Sequence, residues 1–362
     1  MEHGIIERAV GMYGYKGWPS VCKDENGILY AVCSDHRIWH ICPFGRTSMY
    51  ISKDEGRTWS PPIVINDSPL DDRDAGIISM GNGKLLVTWF RHPTEVYLNQ
   101  YASAIKNSCD SNEALIALAQ MASYNTLAED DRKGGSFVRV SKDSGITWSE
   151  VIRVPVSAPH GANVMRDGTL IYLGKEQYSY GIEEPHVIAA YQSKDDGFTW
   201  EKLCTLPIPD GYTLNNFHEP HVIELPNGRL LGAIRAQGSP SYHGFTVFTC
   251  FSDDKGKTWT MPKSLDISGS PPHLLLHSSG VVICVYGRRE APYGERAIIS
   301  RDNGETWSDE YVIFDNAPDS DLGYPSTVEL SDGSLLTAYY QKYQSGEKCS
   351  LLYTKWNINA KK

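Results

Sequence analysis

Short apolar runs recur along this chain, and each begins just after a glycine. They are "ILYAV" after Gly27, "KLLVTW" after Gly83, "TLIYLG" after Gly168, "RLLGAI" after Gly228, "VVICVY" after Gly280 and "SLLTAY" after Gly333. In every case Asn, Asp or Ser precedes the Gly, and strand-like residues lie on both sides, the signature of a β-hairpin. A second motif follows five of these six hairpins. It reads S-x-D-x-G-x-T-W and starts at Ser52, Ser141, Ser193, Ser252 and Ser300. Its tryptophans, Trp59, Trp148, Trp200, Trp259 and Trp307, stand 89, 52, 59 and 48 residues apart. Repeats on this scale point to an array of one supersecondary unit. Each unit reads as four strands A–B–C–D, with the Gly turn joining A to B and the octet joining C to D. The expected fold is all-β, a six-bladed β-propeller. The text "SLLYTKWNINA" stands where a sixth octet should be, as expected of a terminal blade completed by the other end of the chain.

In the octet, Asp and Ser/Thr side chains can tie a turn to its own backbone, Gly permits positive φ, and Trp buries a large apolar face. The octets are therefore expected to be scaffold. The excess length in blade 2, residues 92–135, predicts two amphipathic helices. Leu98, Tyr101, Ala102 and Ile105 share one face, and Leu115, Leu118, Ala119 and Ala122 the other, with Asp110 and Glu113 as a capping box. This insertion within a single propeller domain spanning 1–362 reads as a wall or lid over a pocket, or as a contact between copies of the chain.

Strand order puts the Gly turns and octets at one end of the molecule. The start of each strand A and the end of each strand B then meet around the axis at the other end. Nine residues before the turn glycines stand Trp18, Asp74, Pro159, Glu219, Pro271 and Tyr324; Arg37, Arg91, Arg235, Arg288 and Arg289 lie near the ends of strands B. With a net charge of −10, such a cationic rim points to an anionic ligand, a carboxylate by preference. The acidic balance and lack of a Lys/Arg cluster argue against nucleic acid, and no apolar run is long enough to span a membrane. The eight scattered cysteines lack C-x-x-C spacing and sit largely in apolar strands, which fits reduced thiols in a cytoplasm, and the start of the chain does not read as a secretory signal. Top-face histidines, His160 and His221 among them, have no metal-ligand spacing; they are read as partners for sugar hydroxyls, and no metal or cofactor is expected.

The octets resemble the Asp-box repeat of the sialidase (neuraminidase) superfamily, and three longer stretches strengthen the likeness. "NFHEPHVIELPNGRLLGAIR" is similar to the segment in which a Glu precedes strand A and an Arg ends strand B, which would give those roles to Glu219 and Arg235. "GYPSTVELSDGSLLTAYY" is similar to the segment holding the nucleophilic Tyr, here Tyr324. "YGRREAPYGERAIISRDNGETW" resembles the segment bearing a carboxylate-binding Arg, assigned to Arg288 ahead of Arg289. A phenol nucleophile suits a substrate whose own carboxylate would repel another anion, and it needs a base within reach. The likeness departs in blade 1, where "YKGWPSV" has Gly17 in place of the usual Arg; Lys16, Arg37 or Arg91 is expected to substitute, and Asp35 or Asp74 to serve as general acid. The resemblance implies an exo-acting glycoside hydrolase removing a terminal acidic sugar. Two rival readings are a propeller glycosidase or lyase acting on a uronic acid or neutral sugar, and a non-catalytic glycan-binding propeller.

Overall fold

The computed structural model describes residues 1–108, 110–177, 186–238 and 244–358; Cys109 lies outside them. It forms six four-stranded antiparallel sheets arranged as the blades of a propeller. Blade 1 comprises Tyr15–Lys23, Leu29–Arg37, Arg46–Ser52 and Ile63–Asp67, its strands A to D. Strands A and B of the next blades are Arg73–Gly81 and Lys84–Arg91, Asn163–Val164 and Leu170–Lys175, Phe217–Glu224 and Leu230–Gln237, and Pro272–Leu276 and Val282–Arg288. Blade 6 has Gly323–Glu329, Leu335–Lys342 and Cys349–Trp356 as A to C, and takes its outer strand, Glu2–Glu7, from the start of the chain. This closure explains the missing sixth octet: an octet is a C–D turn, and in blade 6 no chain connection joins C to D.

The octets behave as scaffold. In the first, Gly56 N donates to Ser52 Oγ at 2.8 Å, while Asp54 accepts from Thr58 N at 2.9 Å and Thr58 Oγ1 at 2.7 Å. The same pattern holds in the other four. Each turn leans on the preceding blade. A Cβ on Gly197, whose φ is +93°, would lie 2.2 Å from Leu86 of blade 2. The octet tryptophans pack at the same seams, Trp59 among residues of blades 6 and 1 and Trp259 among those of blades 3 and 4.

The insertion is helical, with the π-helical turn Tyr97–Tyr101 followed by helices Ala102–Ser108 and Ser111–Ser123. Asp110 and Glu113 form the expected capping box. The buried face of the second helix differs from expectation: Ala114, Ala117 and Met121 face inward, whereas Leu115 and Leu118 are exposed. The small Ala side chains let the helix sit close to blades 1 and 2, where Tyr124 OH bonds Pro43 O at 2.6 Å and Gln120 Nε2 bonds Pro69 O at 2.9 Å. Among the described residues no helix is long and apolar enough to cross a membrane. The seven described cysteines are free, six of them buried.

Candidate active site

Four strands A open with the same distortion. In blades 1, 2, 4 and 6 two residues face one across the A–B ladder, at Trp18–Pro19, Asp74–Ala75, Glu219–Pro220 and Tyr324–Pro325. The first residue of each bulge is left-handed, with φ of 53°, 54°, 46° and 51°. A non-glycine residue there costs roughly 1–3 kcal/mol, a strain that persists only where surrounding structure enforces it. The consequence is geometric. A bulge suspends strand alternation, so both Arg73 and Asp74, and both His218 and Glu219, reach the same side.

That side is one cavity of about 260 Å³ lined from all six blades. At its base Tyr324 OH donates to Glu219 Oε1 at 2.6 Å, and Arg235 Nη1 reaches Glu219 Oε2 at 2.5 Å and Tyr324 OH at 3.1 Å. Burial alone would raise the pKa of Glu219, but the Arg235 charge and the bonds from Tyr324 and Arg235 hold it below the usual carboxylate value. Burial and the Glu219 charge drive the Tyr324 phenol well above its ordinary value. The resting pair is therefore a neutral phenol hydrogen-bonded to a carboxylate.

Three guanidinium groups line the cavity: Arg73, Arg235 and Arg289. The Nε of each is buried without a hydrogen-bond partner. Arg73 meets the carboxylates of Asp71 and Asp74 only at 3.8 Å and is held chiefly by the Trp18 ring, 4.3 Å from its guanidinium carbon. Buried donors this poorly satisfied call for an acceptor from outside the protein. Asp74 is pushed up to about 7 by burial, reinforced by Glu219 against the opposing pull of Arg73. Across the cavity Lys175 donates to Phe217 O and His218 Nδ1, each at 2.9 Å, and burial lowers it to about 8. Phe90, His92 and Tyr101 form an aromatic rim over blade 2.

Other expected site residues lie elsewhere. Arg37 is fully buried against Asp71 and stacks on the Trp18 ring, at 4.6 Å. Arg91 pairs with Asp72 at 2.6 Å, Arg288 with Glu310 at 3.1 Å and Asp35 with Lys16 at 3.2 Å. None of these four lines the cavity. Strand B is regular in blades 2 to 5, so parity decides there; in blade 1 it bulges at Asp35–His36, where His36 has a φ of 55°. Phe90, Lys175 and Arg235 stand seven residues after their turn glycines, and His92, Gln177, Gln237 and Arg289 nine after; all face the cavity. Asp35, Arg91 and Arg288 stand eight after, on the opposite face. The third cation from blade 5 is thus Arg289, not Arg288. His160 and His221 pack with His273 below the base, with centroids 4.5–5.7 Å apart. They line a separate cavity that reaches Lys23, Ser278 and Ser331 at the turn end. Sequence reasoning passed over Arg73, and only the bulge reveals it. Among the described residues no group of His, Cys, Asp or Glu is arranged to hold a metal ion.

The model of the BNR repeat-like domain matches residues 107–337, more than half of the chain. The chain belongs to the BNR-repeat family of the sialidase superfamily. A curated sialidase of Clostridium perfringens is 24% identical over 252 residues, which cover 60% of this chain and 63% of that protein. This BNR propeller thus spans less than two-thirds of the length of that relative. Among solved structures, a Dyadobacter fermentans protein of unknown function superposes with a TM-score of 0.76 at 21% identity, covering 98% of this chain and 97% of its own. A Penicillium chrysogenum α-L-arabinanase complexed with arabinobiose superposes with a TM-score of 0.62 at 16% identity, covering 98% of each chain.

Proposed function

We propose that this BNR propeller is an exo-acting, retaining glycosidase that removes a terminal sugar acid of sialic-acid type. The observation that carries the reading is the 2.6 Å bond between Tyr324 and Glu219 beneath three incompletely bonded guanidinium groups. Arg73, Arg235 and Arg289 bind the substrate carboxylate and fix the ring over Tyr324. As the Tyr324 oxygen attacks the anomeric carbon, its proton passes to Glu219 and the bond to the leaving oxygen breaks. Asp74, protonated near neutral pH, gives that oxygen a proton. Its carboxylate then takes a proton from water, which displaces Tyr324; Glu219 returns the phenol proton. The likeness to a sialidase relative supports this reading. A neutral pentose chain such as arabinobiose, the ligand of the arabinanase, would bring no carboxylate to Arg73, Arg235 and Arg289.

The test is Tyr324→Phe assayed with an aryl sialoside, alongside calorimetric binding of the 2,3-didehydro sialic acid. The variant should lose at least about a thousandfold in kcat, since a covalent step is removed, while binding the planar acid within a few fold of the native affinity. Native-like turnover by the variant would remove Tyr324 from the reaction, and failure of the native protein to bind the planar acid would exclude this substrate class.

A further inference from the structure

A polar cluster joins blades 1 and 6 beside the cavity, and the reaction steps above make no use of it. His40 lines the cavity from the loop between Leu29–Arg37 and Arg46–Ser52. Its Nδ1 lies 2.8 Å from Asp321 Oδ1, three residues before Tyr324 in the chain. Tyr15 OH donates to the same carboxylate oxygen at 2.9 Å and Tyr340 OH at 3.4 Å. Burial opposes the charge of Asp321, but the bonds from His40 and Tyr15 hold it at about 2. An ionised carboxylate only accepts, so His40 carries a proton on Nδ1. Its Nε2 bonds nothing among the described residues.

The ring stands between two of the cavity's cations. On one side it meets the Trp18 ring edge-on at 5.1 Å, and Trp18 carries the Arg73 guanidinium at 4.3 Å. On the other, Arg289 Nη2 lies 3.5 Å from the Tyr340 OH that also reaches Asp321. Burial lowers the His40 imidazole below its ordinary value, Arg73 and Arg289 add to this, and Asp321 opposes it. The other groups facing the pair keep their charge state near neutral pH. Tyr15, Tyr340 and Cys349 are driven well above their ordinary values by burial and by the Asp321 charge, and Lys342 is raised by Asp319 against its partial burial. With His40 neutral, Asp321 sets an uncancelled negative charge beside a site built for anions. A proton on Nε2 cancels that charge and adds a donor. An anion between Arg73 and Arg289 also offsets the positive field that keeps the proton away.

Given the glycosidase reading above, we propose that His40 is a fourth anion-binding group of the cavity, oriented by Asp321, and that binding of the sugar acid takes up a proton onto its Nε2. Asp321 is then a positioning residue. It fixes the tautomer and stabilises the imidazolium, as a carboxylate does for any histidine that bonds it through Nδ1.

Calorimetry of 2,3-didehydro sialic acid in two buffers of different ionisation enthalpy counts the protons taken up on binding. Asp74 would respond to the same anion, so the comparison is made in Asp74→Asn. At about pH 6.5, near the ordinary imidazole value, that protein should take up about half a proton more than Asp74→Asn with His40→Gln. Asp321→Asn in the same background, which keeps an acceptor for Nδ1 but loses the charge, should remove the same uptake. The affinity advantage of His40 over Gln should be about tenfold in acid, the order of one charge-assisted hydrogen bond, and should vanish at alkaline pH. Proton uptake that survives the loss of either side chain overturns the proposal, whatever happens to affinity, and leaves the sugar-acid reading standing. A native protein that does not bind the planar acid at any pH overturns that reading and the proposal with it.

Discussion

Asp74 shows how one backbone angle sets a chemical property. Its φ of 54° aims the carboxyl at the cavity, and its own N–H is pinned by Ser34 Oγ at 2.9 Å. Burial then raises its proton affinity to about 7, with one carboxyl oxygen left unbonded. The same burial makes the residue a liability. A carboxyl near 3.8 in the unfolded chain and near 7 in the fold favours unfolding progressively as pH rises between those values. Asp74→Asn should therefore unfold at a higher temperature than the native protein at pH 8, and thermal melts across pH should show that advantage shrinking toward pH 4. Catalysis should move the other way. Native kcat/KM on sialyllactose should decline as pH rises through about 7, where Asp74 loses its proton. The Asn variant should lack that limb and run at least about a hundredfold slower, as expected for a missing general acid. A variant no more stable at pH 8 would mean that the Asp74 environment is wetter than its burial indicates.

Elements divide the labour between holding the ring and aiming side chains. The octets hold it. Asp254 accepts from Ser252 Oγ, Thr258 N and Thr258 Oγ1 at 2.7–2.9 Å, at the end of the molecule away from the cavity. Asp254→Ala should cost about 1–2 kcal/mol in denaturant melts, since the turn keeps its glycine and Trp259 but loses its tie. Its kcat/KM should equal the native value; a change in kinetics would show that the octets communicate with the site. Much of this was legible in the chain. The Gly hairpins located six blades, the octets located the seams, and alignment on the turn glycines put Asp74, Glu219 and Tyr324 on one level. The cations were harder for two opposite reasons. Strand B follows period 2 in blades 2 to 5, and that parity selects Arg289 over Arg288 and sets Arg91 aside; in blade 1 a bulge at Asp35–His36 hides the burial of Arg37. Strand A breaks period 2 at its bulges, so nothing in the alternation could place Arg73 beside Asp74. The second insertion helix misled in its own way. Its leucines drew the apolar face to Leu115 and Leu118, while close approach to the blades selected Ala114 and Ala117.

The whole molecule depends on closing the ring, because the cavity draws side chains from six blades and is formed only when blade 6 meets blade 1. Tyr324 belongs to blade 6 and Trp18 to blade 1, their rings 6.4 Å apart at 81°. The outer strand of blade 6 is Glu2–Glu7, paired with Cys349–Trp356. His3 Nδ1 contacts Thr354 Oγ1 at 2.9 Å, and Ile6 joins the apolar cluster shared by blades 6 and 1. Removing residues 1–7 would leave Cys349–Trp356 as a bare edge that carries Leu351, Leu352 and Tyr353, all buried in the intact ring. Unpaired, apolar strand edges recruit other chains. The truncated protein should melt earlier and scatter light on warming, whereas the full chain stays clear to a higher temperature. Loss of activity should follow the melting curve. Tyr324 lies three strands inward from the deleted one, so the reacting groups themselves are untouched while blade 6 stays folded. A truncated protein with native melting temperature and no scattering would show that three strands suffice to close blade 6.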